Sequence, residues 1–190
     1  MNTYLSSLAK YLLLQEPKQG ISKVRLAKFI YFTHKALVQH ELADISDLGF
    51  IRMPLGPVPQ GFKELTNDSS ITMDREATGL SYNKQVFRYS GSVDVNDSVY
   101  RTVQEVYAQL NTLPTSALVE ESHKEPSWLH HVNGDEYVIT KEDLKLPLPA
   151  SHVSQMTQER DNQLLQARLV EGMLDDIVEE STRLEYPAKS

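Results

Sequence analysis

The chain has no cysteine, and that single absence removes disulfide staples, cysteine-based zinc sites and thiol nucleophiles together. Such a chain suits a reducing cytoplasm. Long apolar runs are missing as well. Tyr11-Leu12-Leu13-Leu14 is far too short to cross a bilayer, and no small-residue cleavage site follows it. The expectation is a soluble, cytoplasmic protein with no membrane partner. Basic residues are the minority, nineteen against twenty-six acidic, and the resulting charge of -7 argues against a general attraction to nucleic acid or acidic lipid. The deficit is uneven. Residues 1–40 hold six basic and one acidic residue, which leaves thirteen basic and twenty-five acidic beyond, so a +5 opening precedes a -12 remainder. A basic helix face in that opening could meet phosphate or an acidic partner, whereas a solvated face needs no such purpose. No glycine-rich phosphate loop, nucleophile elbow or HExxH motif occurs, and neither cofactor nor metal is expected.

What is present is enough for one sizeable core: 190 residues, 40% of them hydrophobic. The stretch Val24–Lys63 organises the rest. Leu26, Ala27, Phe29, Ile30, Tyr31 and Phe32 cover more than one helical face, which predicts a helix buried on several sides from a Ser22 cap to about Glu41. Tyr31 and His34, three residues apart, share a face, and their polar ends could meet one partner or be satisfied within the core. After a short extended piece, Leu55-Gly56-Pro57-Val58-Pro59 reads as a rigid turn that sets the entry of a short helix reaching about Leu65.

Elsewhere, Leu5, Leu8, Ala9 and Leu12 predict a first amphipathic helix over 4–15, closed by Pro17 and Gly20. Residues 71–74 read as an edge piece and 81–90 as a strand or hairpin arm, so a small sheet is expected. Helical period returns over 97–111 behind an Asn96 or Asp97 cap, and again from Thr115 to His123, stopping before Pro126. Trp128, the only tryptophan, is expected to plug the core. His123, His130 and His131 with Glu120 and Glu121 suggest a metal cluster only superficially, because Pro126 interrupts any common helical face. Tyr137-Val138-Ile139 reads as a short strand followed by a Thr140-capped turn.

Pro147 and Pro149 read as a hinge between a domain over 1–146 and a helical extension over 147–190. From Val153 onward a 3-4 spacing predicts a long helix, and Leu165, Leu169, Met173, Leu174, Ile177 and Val178 form an apolar stripe that calls for a packing partner: the domain itself, a second copy in a homodimer, or another protein.

Three of these stretches carry a resemblance: Leu26-Ala27-Lys28-Phe29-Ile30-Tyr31-Phe32, then Leu55-Gly56-Pro57-Val58, then Ser122-His123-Lys124-Glu125-Pro126-Ser127-Trp128. In this order they resemble the motifs of the Panacea domain, the family that includes SocA-like antitoxins and phage-associated proteins of the GepA type. Leu55 stands where the family has an aromatic residue, and Ser122 where it has a threonine. The resemblance spans roughly residues 5–145 and implies a mainly helical α+β domain with a small sheet. It further implies an antitoxin that neutralises a cognate toxin by direct binding, with a protease such as a Clp-type ATPase complex as a further partner in some members. Tyr31, His34, Gly56, Pro57, Val58, His123 and Trp128 become the candidate cleft or partner-binding residues, with knitting of the core as the alternative role. Two other functions stay open. One is a small hydrolase or nucleotide-modifying enzyme using His34 or His123 as general base with Glu120, Glu121 or Glu125 orienting it. The other is a DNA-binding autoregulator using the +5 opening, although no helix-turn-helix spacing stands out and the chain is acidic overall.

Overall fold

The computed structural model describes residues 2–77, 83–94 and 97–150. Five helices and six short strands appear among them. In chain order they are α1 (Thr3–Leu13), β1 (Ile21–Ser22), α2 (Lys23–Gln39), β2 (Phe50–Met53), β3 (Gly56–Pro59), β4 (Ile71–Ala77), β5 (Asn83–Tyr89), α3 (Ser98–Leu110), α4 (Thr115–Ser122), α5 (Pro126–Leu129) and β6 (Glu136–Tyr137). The fold is α+β, with helices set against two small antiparallel sheets of order β1-β5-β4 and β3-β2-β6.

Helix α2 is the centre. Thirteen of its residues are buried, among them Leu26, Phe29, Ile30, Tyr31, Phe32 and Leu37, and it touches α1, α3, α4, β1, β3 and β5. A helix with apolar residues on several sides has little solvent face to present, so the other elements wrap it. Helix α1 supplies Leu5, Leu8, Ala9 and Leu12 to the same core. It starts at Asn2, whose side chain accepts from the backbone of Tyr4 and Leu5. Helix α3 is capped by Asp97, as its sequence predicts, with Asp97 Oδ1 accepting from Val99 N at 2.9 Å, and it contributes Val103, Val106 and Leu110.

The proline-rich segment differs from the expected turn. Gly56–Pro59 is a strand paired residue by residue with β2, and the tight connection is Pro54-Leu55. Prolines lack the N–H that a central strand must donate, but β3 lies at the edge of its sheet, where no neighbour asks for it. The chain then enters a 3-10 helix over Phe62–Asn67 through Gly61, at φ 78, and not through the prolines. Four of the six basic residues in the +5 opening are buried or engaged within the fold. Lys28 and Lys35 are buried, Lys10 pairs with Asp68 at 2.6 Å, and Arg25 holds the α3–α4 connection through Leu113 O and Asn111 Oδ1.

Residues 147–149 run along α3, where Gln109 Nε2 donates to the carbonyls of Leu148 and Pro149 at 3.3 and 2.9 Å. The helix expected beyond Val153, with Leu165, Leu169, Met173, Leu174, Ile177 and Val178, falls on residues outside the described ones. Among the described residues no helix is long and apolar enough to cross a membrane.

Candidate functional site

Lys28, Tyr31 and Lys35 recur at steps of three and four along α2, so they form one polar stripe on an otherwise apolar helix. Three charged or hydroxylated ends buried on one face need partners. The partners come from β3 and from the segment joining α4 to α5.

At the Lys35 end, Nζ lies 2.7 and 2.9 Å from the two carboxylate oxygens of Glu125, and both side chains are almost wholly buried. Tyr31 adds its hydroxyl to Glu125 Oε2 at 3.3 Å. Burial pushes the Glu125 carboxyl up from its ordinary value, while Lys35 pulls it back down. Burial, reinforced by the negative charge of Glu125, likewise raises the Tyr31 phenol well above its usual range. Glu125 opens α5, with Pro126 at the first helical position. The cap of that helix comes from further along the chain: Asp143 Oδ1 accepts from Ser127 N at 2.9 Å. Its other oxygen accepts from Thr140 N and Oγ1 at 2.5 and 2.7 Å. Asp143 thus fixes the helix that presents Glu125.

At the Lys28 end, no carboxylate among the described residues pairs with the amine. Lys28 Nζ donates to the carbonyl of Pro57 at 2.8 Å, and burial lowers its pKa to about 7. Gly56 makes this approach possible. It adopts φ 93, and a Cβ there would fall 2.2 Å from Ser122 Oγ and 3.0 Å from Lys28 Nζ, so only glycine satisfies both the backbone and the space.

Beside it, the indole of Trp128 stacks on His123 with centroids 4.1 Å apart and planes at 17°. The Arg52 guanidinium lies 3.9 Å from the same ring. Two groups this close to one ring must take opposite faces. Trp128 Nε1 donates to Met53 O at 3.2 Å, and Arg52 Nε to Trp128 O at 3.1 Å. Trp128 is only half-buried, so it does not plug the core. Its indole ties α5 to the β2–β3 hairpin, and the polar and cationic partners it uses are ones an apolar interior could not supply. Burial lowers the His123 pKa, and the nearby Lys28 and Arg52 charges lower it further.

The structure therefore brings Tyr31, Gly56, Pro57, His123 and Trp128 around one contact between α2, β3 and the α4–α5 segment. Val58 sits on β3, paired with Ile51 and packed against the core. His34 goes elsewhere. It and Tyr31 both pack on Phe50, at ring distances of 5.9 and 5.0 Å, but His34 Nδ1 hydrogen-bonds Tyr4 Oη at 2.9 Å while Tyr31 turns to Glu125. The two do not meet one polar partner. Burial lowers the His34 pKa to about 4, against smaller opposing pulls from the Ile45 carbonyl and Asp47. Lys28, Lys35, Arg52 and Asp143 did not stand out in the sequence. The signal that could have found the first two is their spacing with Tyr31 in a helix too apolar to have an outside.

The sequence model of the antitoxin SocA-like family, Panacea domain, matches residues 26–129, which is more than half of the chain. This chain is a Panacea-domain protein. No curated protein and no solved structure matches it. The matched span begins within α2 and ends with α5, so both sides of the buried contact fall inside the Panacea domain. Tyr4 and the Asp143 cap fall outside the matched span. Among the described residues of this Panacea protein, no group of three or more His, Asp or Glu side chains is placed to hold a metal ion. No hydrogen bond joins His34 or His123 to Glu120, Glu121 or Glu125. Glu121 pairs instead with Lys124 at 2.6 Å.

Proposed function

We propose that this Panacea protein is a cytoplasmic antitoxin that neutralises a cognate toxin by direct binding and performs no catalysis. The match to an antitoxin family over residues 26–129 carries the reading. The buried contact supports it. Tyr31, Lys35 and Glu125 bind one another, and Gly56, Pro57, His123 and Trp128 close the same junction, so these side chains hold the scaffold while the partner meets the surface around it. The domain extends over 1–146. The 147–190 extension supplies a second contact through Leu165, Leu169, Met173, Leu174, Ile177 and Val178, to the domain itself, to a second copy or to another protein; a protease such as a Clp-type ATPase complex is a further partner.

The test is co-expression with the product of the neighbouring gene, scored for rescue of growth and for co-purification. The neighbour should be toxic alone, harmless with this chain, and recovered with it. A neighbour that is harmless alone and does not co-purify overturns the antitoxin reading. Truncation after Pro149 should abolish self-association or partner recovery; if both persist, the interface in the extension is refuted.

A further inference from the structure

Helix α2 ends at a groove of about 620 Å³ formed by the loop that leads from it into β2. Val38, Leu42, Ala43 and Ile45 line it and are only partly covered where they pack against the core, so they give it an apolar floor. Its exposed lining is acidic: Glu41, Asp44 and Asp47 border the groove, and no basic residue does. The negative end of the α2 dipole points the same way, because the last turn of this 17-residue helix carries no basic side chain. Asp44 and Asp47 are also held in place as a reciprocal cap of a short 3-10 turn, with Asp47 Oδ2 accepting from Asp44 N at 2.8 Å.

Glu41 occupies the position after the helix cap. Leu42 N reaches back to Leu37 O at 2.8 Å, and Glu41 N to Val38 O at 3.1 Å, a helix-ending geometry that favours glycine. Glu41 adopts it at φ 58, the only non-glycine among the described residues with a positive φ. A carboxylate therefore stands where the backbone alone would prefer no side chain.

We propose that this groove is the docking site for a cationic amphipathic segment of the toxin, lysine or arginine meeting the acidic border and an apolar side chain meeting the floor. This rests on the antitoxin reading. Charge decides the occupant. The chain's own residues 159–185 carry eight acidic against three basic residues, and a second copy carries a net -7; either would bring like charge to a negative groove.

The probe is an 18-residue helical peptide of leucine and lysine, labelled and titrated into the full chain, with a serine-lysine peptide as the control for the apolar floor. The leucine-lysine peptide should bind, and E41K should weaken it about tenfold, less as salt is raised. E41G should weaken binding while raising thermal stability, since glycine relieves the left-handed backbone; that opposite pair of effects separates lost docking from lost folding. E105K, a charge reversal on exposed α3, should leave binding unchanged. Equal weakening by E41K and E105K, or equal binding of the serine-lysine peptide, overturns the proposal. The neighbouring gene product separates this claim from the one beneath it. If that protein co-purifies alike with wild type and E41K, the groove is refuted and the antitoxin stands. If it co-purifies with neither while the peptide still distinguishes E41K, the antitoxin reading falls and takes the toxin as occupant with it, leaving the groove's preference for cationic amphipathic segments.

Discussion

At one end of the α2 stripe Lys35 meets both oxygens of a buried glutamate; two turns earlier Lys28 meets one backbone carbonyl and no counter-charge. Both lysines are as buried as the leucines beside them. The paired end has its charge cancelled and its geometry over-determined by Tyr31, Ser127 and Asp143. The other end keeps a lysine whose proton is held weakly, at a pKa of about 7. A buried ion pair and a buried lone amine cost the fold in different ways. Removing one member of the pair exposes the cost of the other, whereas removing the lone amine relieves a cost already present.

The largest effect should follow K35M, which leaves Glu125 buried without its cation and is expected to lower unfolding free energy by about 3–5 kcal/mol in denaturant titration. K35M/E125L should recover most of that loss. A single-variant cost near zero would show that the pair does not sit in a dry interior. G56A should come next, at about 2–4 kcal/mol, from a Cβ forced into Ser122 and a backbone that disfavours it. Adding S122G should return only the steric part.

K28M should act in the opposite direction, raising stability at pH 7 by about 1–3 kcal/mol. Its pH signature is specific. The folded pKa of about 7 lies below the ordinary 10.5, so the native state loses its proton first. Lys28 therefore makes wild-type stability climb between roughly pH 7 and 10.5, by at most about 1.4 kcal/mol per pH unit, and adds no slope below that window. A K28M difference that stays constant across that window would refute the lone-amine account. The smallest effect belongs to T140V, which removes one donor to Asp143 and should cost about 1 kcal/mol. A much larger loss would mean that the paired end depends on its distant cap more than on Lys35.

Much of this was legible in the chain. Six apolar residues within seven positions cannot be arranged on one helical face, and α2 is buried all round for that reason. The helix start after Ser22, the Asp97 cap and the strand pattern over 81–90 also announced their elements. What escaped detection depends on contacts far apart in sequence. Pro57 and Pro59 read as turn residues because proline breaks most strands; only the edge position of β3 makes them acceptable there. Lys28 and Lys35 counted only toward the basic charge of the opening, since their partners, the carbonyl of Pro57 and the carboxylate of Glu125, lie 29 and 90 positions away. Trp128 read as core because area alone predicts burial, and Arg52, its cationic neighbour, is 76 positions earlier. The apolar stripe beyond Val153 falls outside the described residues and stands as a proposal.

The cap that Asp143 places on α5 has a consequence for where this domain can be cut. The span matched by the family model closes at Leu129, yet the last helix of that span is capped by a carboxylate fourteen residues downstream. Its central helix leans on Leu5, Leu8 and Leu12, all upstream of Leu26. The matched span is thus shorter than the stretch whose contacts hold α2 and α5. A fragment trimmed to residues 26–129 would keep every recognisable motif and lose both the floor beneath α2 and the clasp on Glu125.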